Sequence, residues 1–214
     1  MNQLAALLAQ GSQEAAGRIW GVVVGVVTNN QDPDKLGRVR LRFPWLSAAE
    51  ESHWARVAAP MGGKDRGLYF LPEVDDEVLV AFEHGDPRLP YVLGSLWNGQ
   101  DAPPADNADG RNNVRLIKSR SGHLIRLDDE DGKETIAIID KSGRNSLVID
   151  TATNTITLTS DKDIELVATN GRISLEASEI ALASSGATKV AAGAGLDLEA
   201  SGTLNAKGAT INLN

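Results

Sequence analysis

The sequence predicts an all-β chain in two parts, a small closed barrel followed by an intertwined three-chain β-prism. Three observations lead there. The last third repeats an aliphatic–polar–aliphatic phrase about every eight residues. Residues 18–98 break into short strand-like runs separated by turn clusters. All nine aromatics lie between Trp20 and Trp97, and all eight prolines lie at or before Pro104, so the two parts are built from different materials.

The repeat reads Ile156-Thr-Leu158, Ile164-Glu-Leu166, Ile173-Ser-Leu175, Ile180-Ala-Leu182, Leu196-Asp-Leu198 and Ile211-Asn-Leu213, with weaker copies at Thr188–Val190 and Leu204–Ala206. From Ile156 to Ile211 there are seven steps of just under eight residues. Alternation at a spacing of two is the strand signature, and a short fixed period means a solenoid. Eight extended residues span roughly 26 Å, one face of a prism and not a closed ring. A monomeric β-helix built on three octads per coil gives fewer than three coils in 150–214 and leaves open sheet edges. Stacked repeats need several neighbours and capped ends. Three chains wound together pair every internal edge. The expectation is therefore an intertwined homotrimer, a rod of about 40 Å at roughly 4.8 Å per strand.

The predicted trimer core is Ile156, Leu158, Ile164, Leu166, Ile173, Leu175, Ile180, Leu182, Leu196, Leu198, Leu204, Ile211 and Leu213. Ala, Ser, Thr, Asn and Gly fill the places between, as a narrow interior and tight corners require. No proline interrupts the ladders.

In the front part, Trp20–Thr28 is Val-rich and is followed by the turn cluster Asn29–Asp34. Gly37–Pro44 alternates, with Arg38, Arg40 and Arg42 on one face and Val39, Leu41 and Phe43 on the other. Trp54–Ala59, Gly67–Leu71, Glu77–Glu83 and Pro90–Leu96 are further strands. Met61–Lys64 is a loop and His84–Pro87 a tight turn. Short strands at this spacing make a small barrel. Residues 99–113 are a polar linker. Gly122–Asp128 and Thr135–Asp140 flank an acidic turn at 129–133, and a turn at Ser142-Gly143 leads to Leu147–Asp150. The expected organisation is an N-terminal segment 1–17, a barrel 18–98, a linker 99–113, neck hairpins 114–150 and the octad repeat 151–214. The first residues are expected to be a short amphipathic helix or a disordered lead.

The chain has 214 residues and a formal net charge of −8. A trimer would carry three times that, which opposes DNA or an anionic membrane surface as an electrostatic partner. There is no cysteine, so disulfides and thiol chemistry are excluded. No apolar run approaches the ~20 residues of a membrane helix. The start lacks the basic n-region of a signal peptide, so synthesis and storage in the cytoplasm are expected.

Gly37-Arg-Val-Arg-Leu-Arg-Phe-Pro-Trp45, Trp54-Ala-Arg-Val57, Pro72–Phe82, Gly85-Asp-Pro87 and Leu93-Gly-Ser-Leu-Trp-Asn98 together resemble the OB-fold domain of the phage baseplate assembly protein V family. The valine-glycine-repeat spike proteins of type VI secretion share that domain. Ser121–Asp129 resembles the family's neck, and the octads resemble its triple-stranded β-helix. The resemblance covers about 18–214. It implies the central spike of a contractile injection machine: a phage tail, a type VI system or an extracellular tailocin-like particle. It also implies a homotrimer with a separate hub protein at the barrel end and transient contact with a target membrane. Larger members carry a hub domain ahead of the barrel; here the barrel is read from residue 18, so the hub is expected to be a separate protein. Some phage spikes insert a lysozyme where the linker here is short. Some end in an iron-binding His-x-His tip, whereas the histidines here are His53, His84 and His123. A blunt apolar end at Ile211, Asn212, Leu213 and Asn214 implies a PAAR-type cone protein bound there.

Other chemistry reads weakly. Asp161, Asp163 and Glu165 share one strand face, where a solvated surface explains them better than a glycosidase pair; Glu176 and Glu179 read the same way. The 128–132 loop fails the EF-hand pattern, because Leu127 falls where an acid is required. The histidines lack metal-ligand spacing, and no cofactor is expected. Arg38, Arg40 and Arg42 could track a nucleic-acid strand, but acidic neighbours favour a hub or subunit contact through carboxylates. The rival function, a carbohydrate-binding or -degrading tailspike, needs a groove with aromatics and paired acids, and the repeat has no aromatic at all. The expectation is a non-enzymatic, mechanical part.

Overall fold

The computed structural model describes residues 17–47 and 49–212. The expectations for the N-terminal segment before Gly17, and for Leu213 and Asn214, lie outside those residues. The described chain is all-β apart from one short 3-10 turn at Glu83–Gly85. It divides into two units, Met1–Asp161 and Lys162–Asn214.

The first unit begins with a five-stranded sheet. Its strands are β1 (Val22–Asn29), β2 (Arg40–Arg42), β3 (Arg56–Val57), β6 (Glu77–Phe82) and β7 (Pro90–Ser95), in the order β2-β1-β6-β7-β3. β3 runs parallel to β7; the other pairs are antiparallel. The two ends of that order meet. Val39 and Ala55 exchange both backbone hydrogen bonds, at 3.0 and 2.7 Å, and the Ser52 amide donates to the Leu41 carbonyl at 2.7 Å. The sheet thus closes on itself and leaves no open edge between β2 and β3.

Period-two alternation decides which side chains fill this barrel. Val39, Leu41 and Phe43 point in, as do Val78, Val80 and Phe82 from β6, with Val27, Ala55 and Val92 completing the core. Ala55 and six larger residues, Val27, Val39, Leu41, Val78, Val80 and Val92, have no exposed surface, and the six carry the larger burial. Each of the six contributes roughly 1.5–3 kcal/mol of gross transfer free energy. Gly25 makes room for the tilted Phe43–Phe82 pair, whose centroids are 5.6 Å apart. A Cβ there would sit 3.1 Å from the Phe43 ring and 3.3 Å from Val80.

One expected loop and one expected strand exchange roles. Gly62–Gly63 (β4) and Arg66–Gly67 (β5) form a two-stranded hairpin across Lys64 and Asp65, so 61–64 is not a plain loop. The run Leu68–Leu71, expected as strand, joins no ladder. Asp65 turns the chain at φ 54°. At Gly67 φ is +154° and a Cβ would stand 2.7 Å from the Met61 carbonyl, a position only glycine fills without strain.

A second sheet follows in the same unit. β8 (Val114–Lys118), β9 (Leu124–Asp128), β10 (Thr135–Ile139), β11 (Ser146–Asp150) and β12 (Thr155–Thr159) form an antiparallel meander in sequence order. Local polar groups set its turns. Asp140 accepts from the Ser142 hydroxyl and the Asn145 amide, and the Lys133 and Gly143 amides donate to Glu130 and Asp140 carbonyls. β12 carries the first octad phrase, Ile156-Thr157-Leu158, so that phrase is the edge strand of a sheet within one chain.

In the second unit no residue from 162 to 212 belongs to an intrachain ladder. The backbone instead bends at 169–171, 178, 185–186, 193–194, 201–202 and 209, again about every eight residues. Gly171, Gly186, Gly193 and Gly202 occupy four of those corners. The runs between them carry the aliphatic phrases.

Candidate assembly interfaces

Every described residue of the predicted trimer core is exposed within a single chain. The least exposed are Ile164 and Ile173 at 51% and the most exposed is Leu182 at 83%. In the barrel the same residue types reach 0%. Ile156 and Leu158 lie on β12 and are laddered on one side only; from Ile164 to Ile211 no described residue joins a ladder within the chain. A chain that leaves this much apolar surface bare, on a regular period, presents a surface for association. Of the four residues expected to bind a tip protein, Ile211 and Asn212 are described, and both are exposed.

A second bare apolar face lies on the neck sheet, and sequence reading missed it. Register places Arg115, Leu127, Ile136, Ile149 and Ile156 in one row across all five strands. Ile117, Ile125, Ile138, Leu147 and Leu158 form the next row on the same face. Nine of these ten positions are aliphatic. The tenth, Arg115, is ion-paired to Asp129. The opposite face is mixed, with Arg126, Asp128, Thr135 and Thr157 among Leu116, Ala137 and Val148. Linker residues Pro104 and Ala105 line a cleft against that mixed face together with Val114, Leu116 and Leu124. One side of the sheet is therefore partly covered by its own chain, and the aliphatic side is not. The alternation Leu124–Asp128 and Thr135–Ile139 was visible in the sequence; the five-strand register that joins these residues into rows was not.

The arginine stripe is largely spoken for. Arg38 forms a two-pronged pair with Asp32, Nε to Oδ2 at 2.8 Å and Nη2 to Oδ1 at 2.7 Å, and also reaches Asp34 at 2.5 Å. Arg40 pairs with Glu51 at 3.1 Å. Both guanidinium groups lie over the Trp54 ring, at 5.8 and 5.0 Å from its centre. Arg42 makes no ion pair among the described residues. Arg38 holds the Asp32 carboxyl well below the usual carboxylate range, helped by the amides of Asp34, Arg38 and Leu36. Asp32 raises the Arg38 guanidinium in return. These charges organise the β1–β2 turn.

The remaining polar candidates stand apart. Asp161 pairs with Arg144 at 3.2 Å. His123 Nδ1 accepts from the Lys141 amide at 3.2 Å, while His53 and His84 are exposed. Among the described residues no three His, Asp or Glu side chains converge as metal ligands. No helix among them is long and apolar enough to cross a membrane.

Comparison with known proteins accords with this geometry. Residues 23–97, the barrel, match the family described as the type VI secretion system/phage-baseplate injector OB domain. Residues 130–214 match a family of uncharacterized proteins conserved in bacteria, DUF2345. The type VI secretion system spike protein VgrG1a of Pseudomonas aeruginosa is 30% identical over 139 residues, 59% of this chain and 22% of that protein. Spike protein VgrG5 of the same organism is 34% identical over 126 residues, 55% of this chain and 16% of that protein. The actin cross-linking toxin VgrG1 of Vibrio cholerae is 27% identical over 135 residues, 59% of this chain and 12% of that protein. The chain thus spans less than a quarter of the length of these relatives.

Proposed function

We propose that this chain, whose residues 23–97 match an injector OB domain and which is similar to VgrG-type spike proteins, is the central spike of a contractile injection machine. Three copies wind about one axis. The octad aliphatics meet there, and each strand edge of one copy is paired by the next. The work is mechanical: the rod carries axial force when a sheath contracts and leads the tube through a target envelope. Continuous ladders and a dry interior resist local opening better than loops do. The barrel seats the rod on a hub protein, and Arg42 is the member of the arginine stripe left for such a contact. A PAAR-type cone caps the C-terminal end. The role is structural, with no catalytic step assigned to the chain.

The observation that carries this reading is the repeat: eight-residue bends, aliphatic phrases between them, and no cover within the chain. Cryo-electron microscopy of particles assembled with and without the chain tests it. The reading expects a threefold needle on the tube axis only when the chain is present. Needle density unchanged without the chain would overturn it.

A further inference from the structure

We infer that the aliphatic face of the neck sheet is a register clamp: it packs against the same face of two further copies and fixes how the three octad repeats align. This rests on the trimeric reading above and adds where and why alignment is decided.

The reason begins with the repeat itself. Its phrases are near copies at an eight-residue step, so a chain displaced by one octad still offers aliphatics to aliphatics. Repetitive strands specify register weakly and are prone to slip. Something outside the periodic part must select one alignment. The neck sheet has the needed properties. Its five strands are paired within one chain and in one register, so it does not depend on partners to form its ladder. Its bare face departs from the eight-residue step, because its rows run across antiparallel strands whose connections are 119–123, 129–134, 140–145 and 151–154.

The occupant follows from β12. Ile156 and Leu158 belong at once to this face and to the octad series. If the octads meet their copies, the first octad does so too, and the rows that continue from it through Ile138 and Ile125 share that contact. The area agrees. Five strands about 4.8 Å apart and five residues at about 3.4 Å give a flat face of roughly 400 Å². A stable pairwise interface uses about 800 Å² from each partner. The neck face is thus too small to hold a complex alone and large enough to bias alignment, with the repeat supplying the rest.

The chain has no cysteine, so a single nitroxide at Ser201→Cys reports inter-chain distances in the full-length protein. In the otherwise wild-type trimer, double electron–electron resonance should give one distance distribution. Ile125→Ser with Ile138→Ser should add longer distances from slipped chains or release monomers. Glu176→Ser, on the repeat but outside its predicted core, should keep the single distance. All four tryptophans lie in the barrel segment 20–97, so their emission verifies that the barrel is folded in each variant. As a check that does not depend on the variant's folding, a diazirine side chain at position 138 should form adducts with 114–159 of another copy, and one at Thr157 should not. A neck variant that remains trimeric with the single wild-type distance, or position-138 adducts absent from another copy's neck, overturns the clamp. A monomeric wild type would instead overturn the trimeric reading on which it stands.

Discussion

The barrel and the octad repeat spend the same aliphatic residues in opposite ways. Val27, Val39, Leu41, Val78, Val80 and Val92 vanish from solvent inside one chain. Ile164, Leu175, Leu182 and Leu198 keep half or more of their surface in the same chain. The barrel can bury its own residues because its sheet returns to itself: the Val39–Ala55 bridge brings the ends of the strand order together. The repeat bends about every eight residues, and its described residues from 162 to 212 join no ladder within the chain. A difference in closure, not in hydrophobicity, separates a domain that buries its own aliphatics from a segment that leaves them bare. The neck meander stands between them. Its ladders are satisfied within the chain, and one aliphatic face is left largely exposed.

Substitutions on the two sides of this contrast should separate cleanly. The largest effect is expected from Leu166→Asp, which puts three unpaired charges near the proposed axis. Trimer mass in solution should be lost while tryptophan emission from the barrel stays native; a folded trimer would show that Leu166 does not face the axis. Leu41→Ala should do the reverse. Emptying a fully buried leucine site costs about 2–5 kcal/mol, so the barrel's denaturation midpoint should fall while the trimer persists. Loss of trimer together with the barrel would mean that the two parts fold as one. Gly25→Val is a smaller version of the same test. Its side chain must displace the Phe43 ring, at about 1–3 kcal/mol for overpacking, read as a lowered barrel melting temperature with unchanged mass.

The smallest expected effect is a pH dependence confined to the first unit. Hydrogen bonds from Ser142, then Asn145, hold the Asp140 carboxyl at about 2 against an ordinary 3.8. Asp32 is held down by Arg38. Both values are depressed, so the stability they contribute is complete above the ordinary carboxylate range and is lost as pH falls through the folded values. Thermal melts from pH 5 to pH 2 should show the barrel and neck weakening in acid. Asp32→Asn should flatten the barrel's part of that slope. A repeat transition that moved with them would contradict the separation.

Much of the fold was legible in the residues. Arg38-Val39-Arg40-Leu41-Arg42-Phe43 alternates so regularly that its buried face follows from period two alone, and the aliphatic phrases mark the intervals between bends. What escaped has physical causes. Gly62 and Gly63 pair with Arg66 and Gly67 through backbone geometry that no side-chain pattern announces. β8 was overlooked because Val114-Arg-Leu-Ile-Lys118 has aliphatics on both faces and follows a polar linker. Ile125, Ile138 and Leu147 read as strand residues, but only long-range register sets them side by side. The arginine stripe was placed on the correct face, yet its engagement by Asp32, Asp34 and Glu51 depended on how the turn cluster folds back.

The central claim is that the repeat is covered by two further copies of the chain. Native mass spectrometry of the full-length protein tests it most directly, paired with light scattering. The expected result is a single species of three times 22.7 kDa that survives SDS without boiling, because unwinding three chains is slow. A well-folded species of 22.7 kDa with an ordered repeat would contradict it.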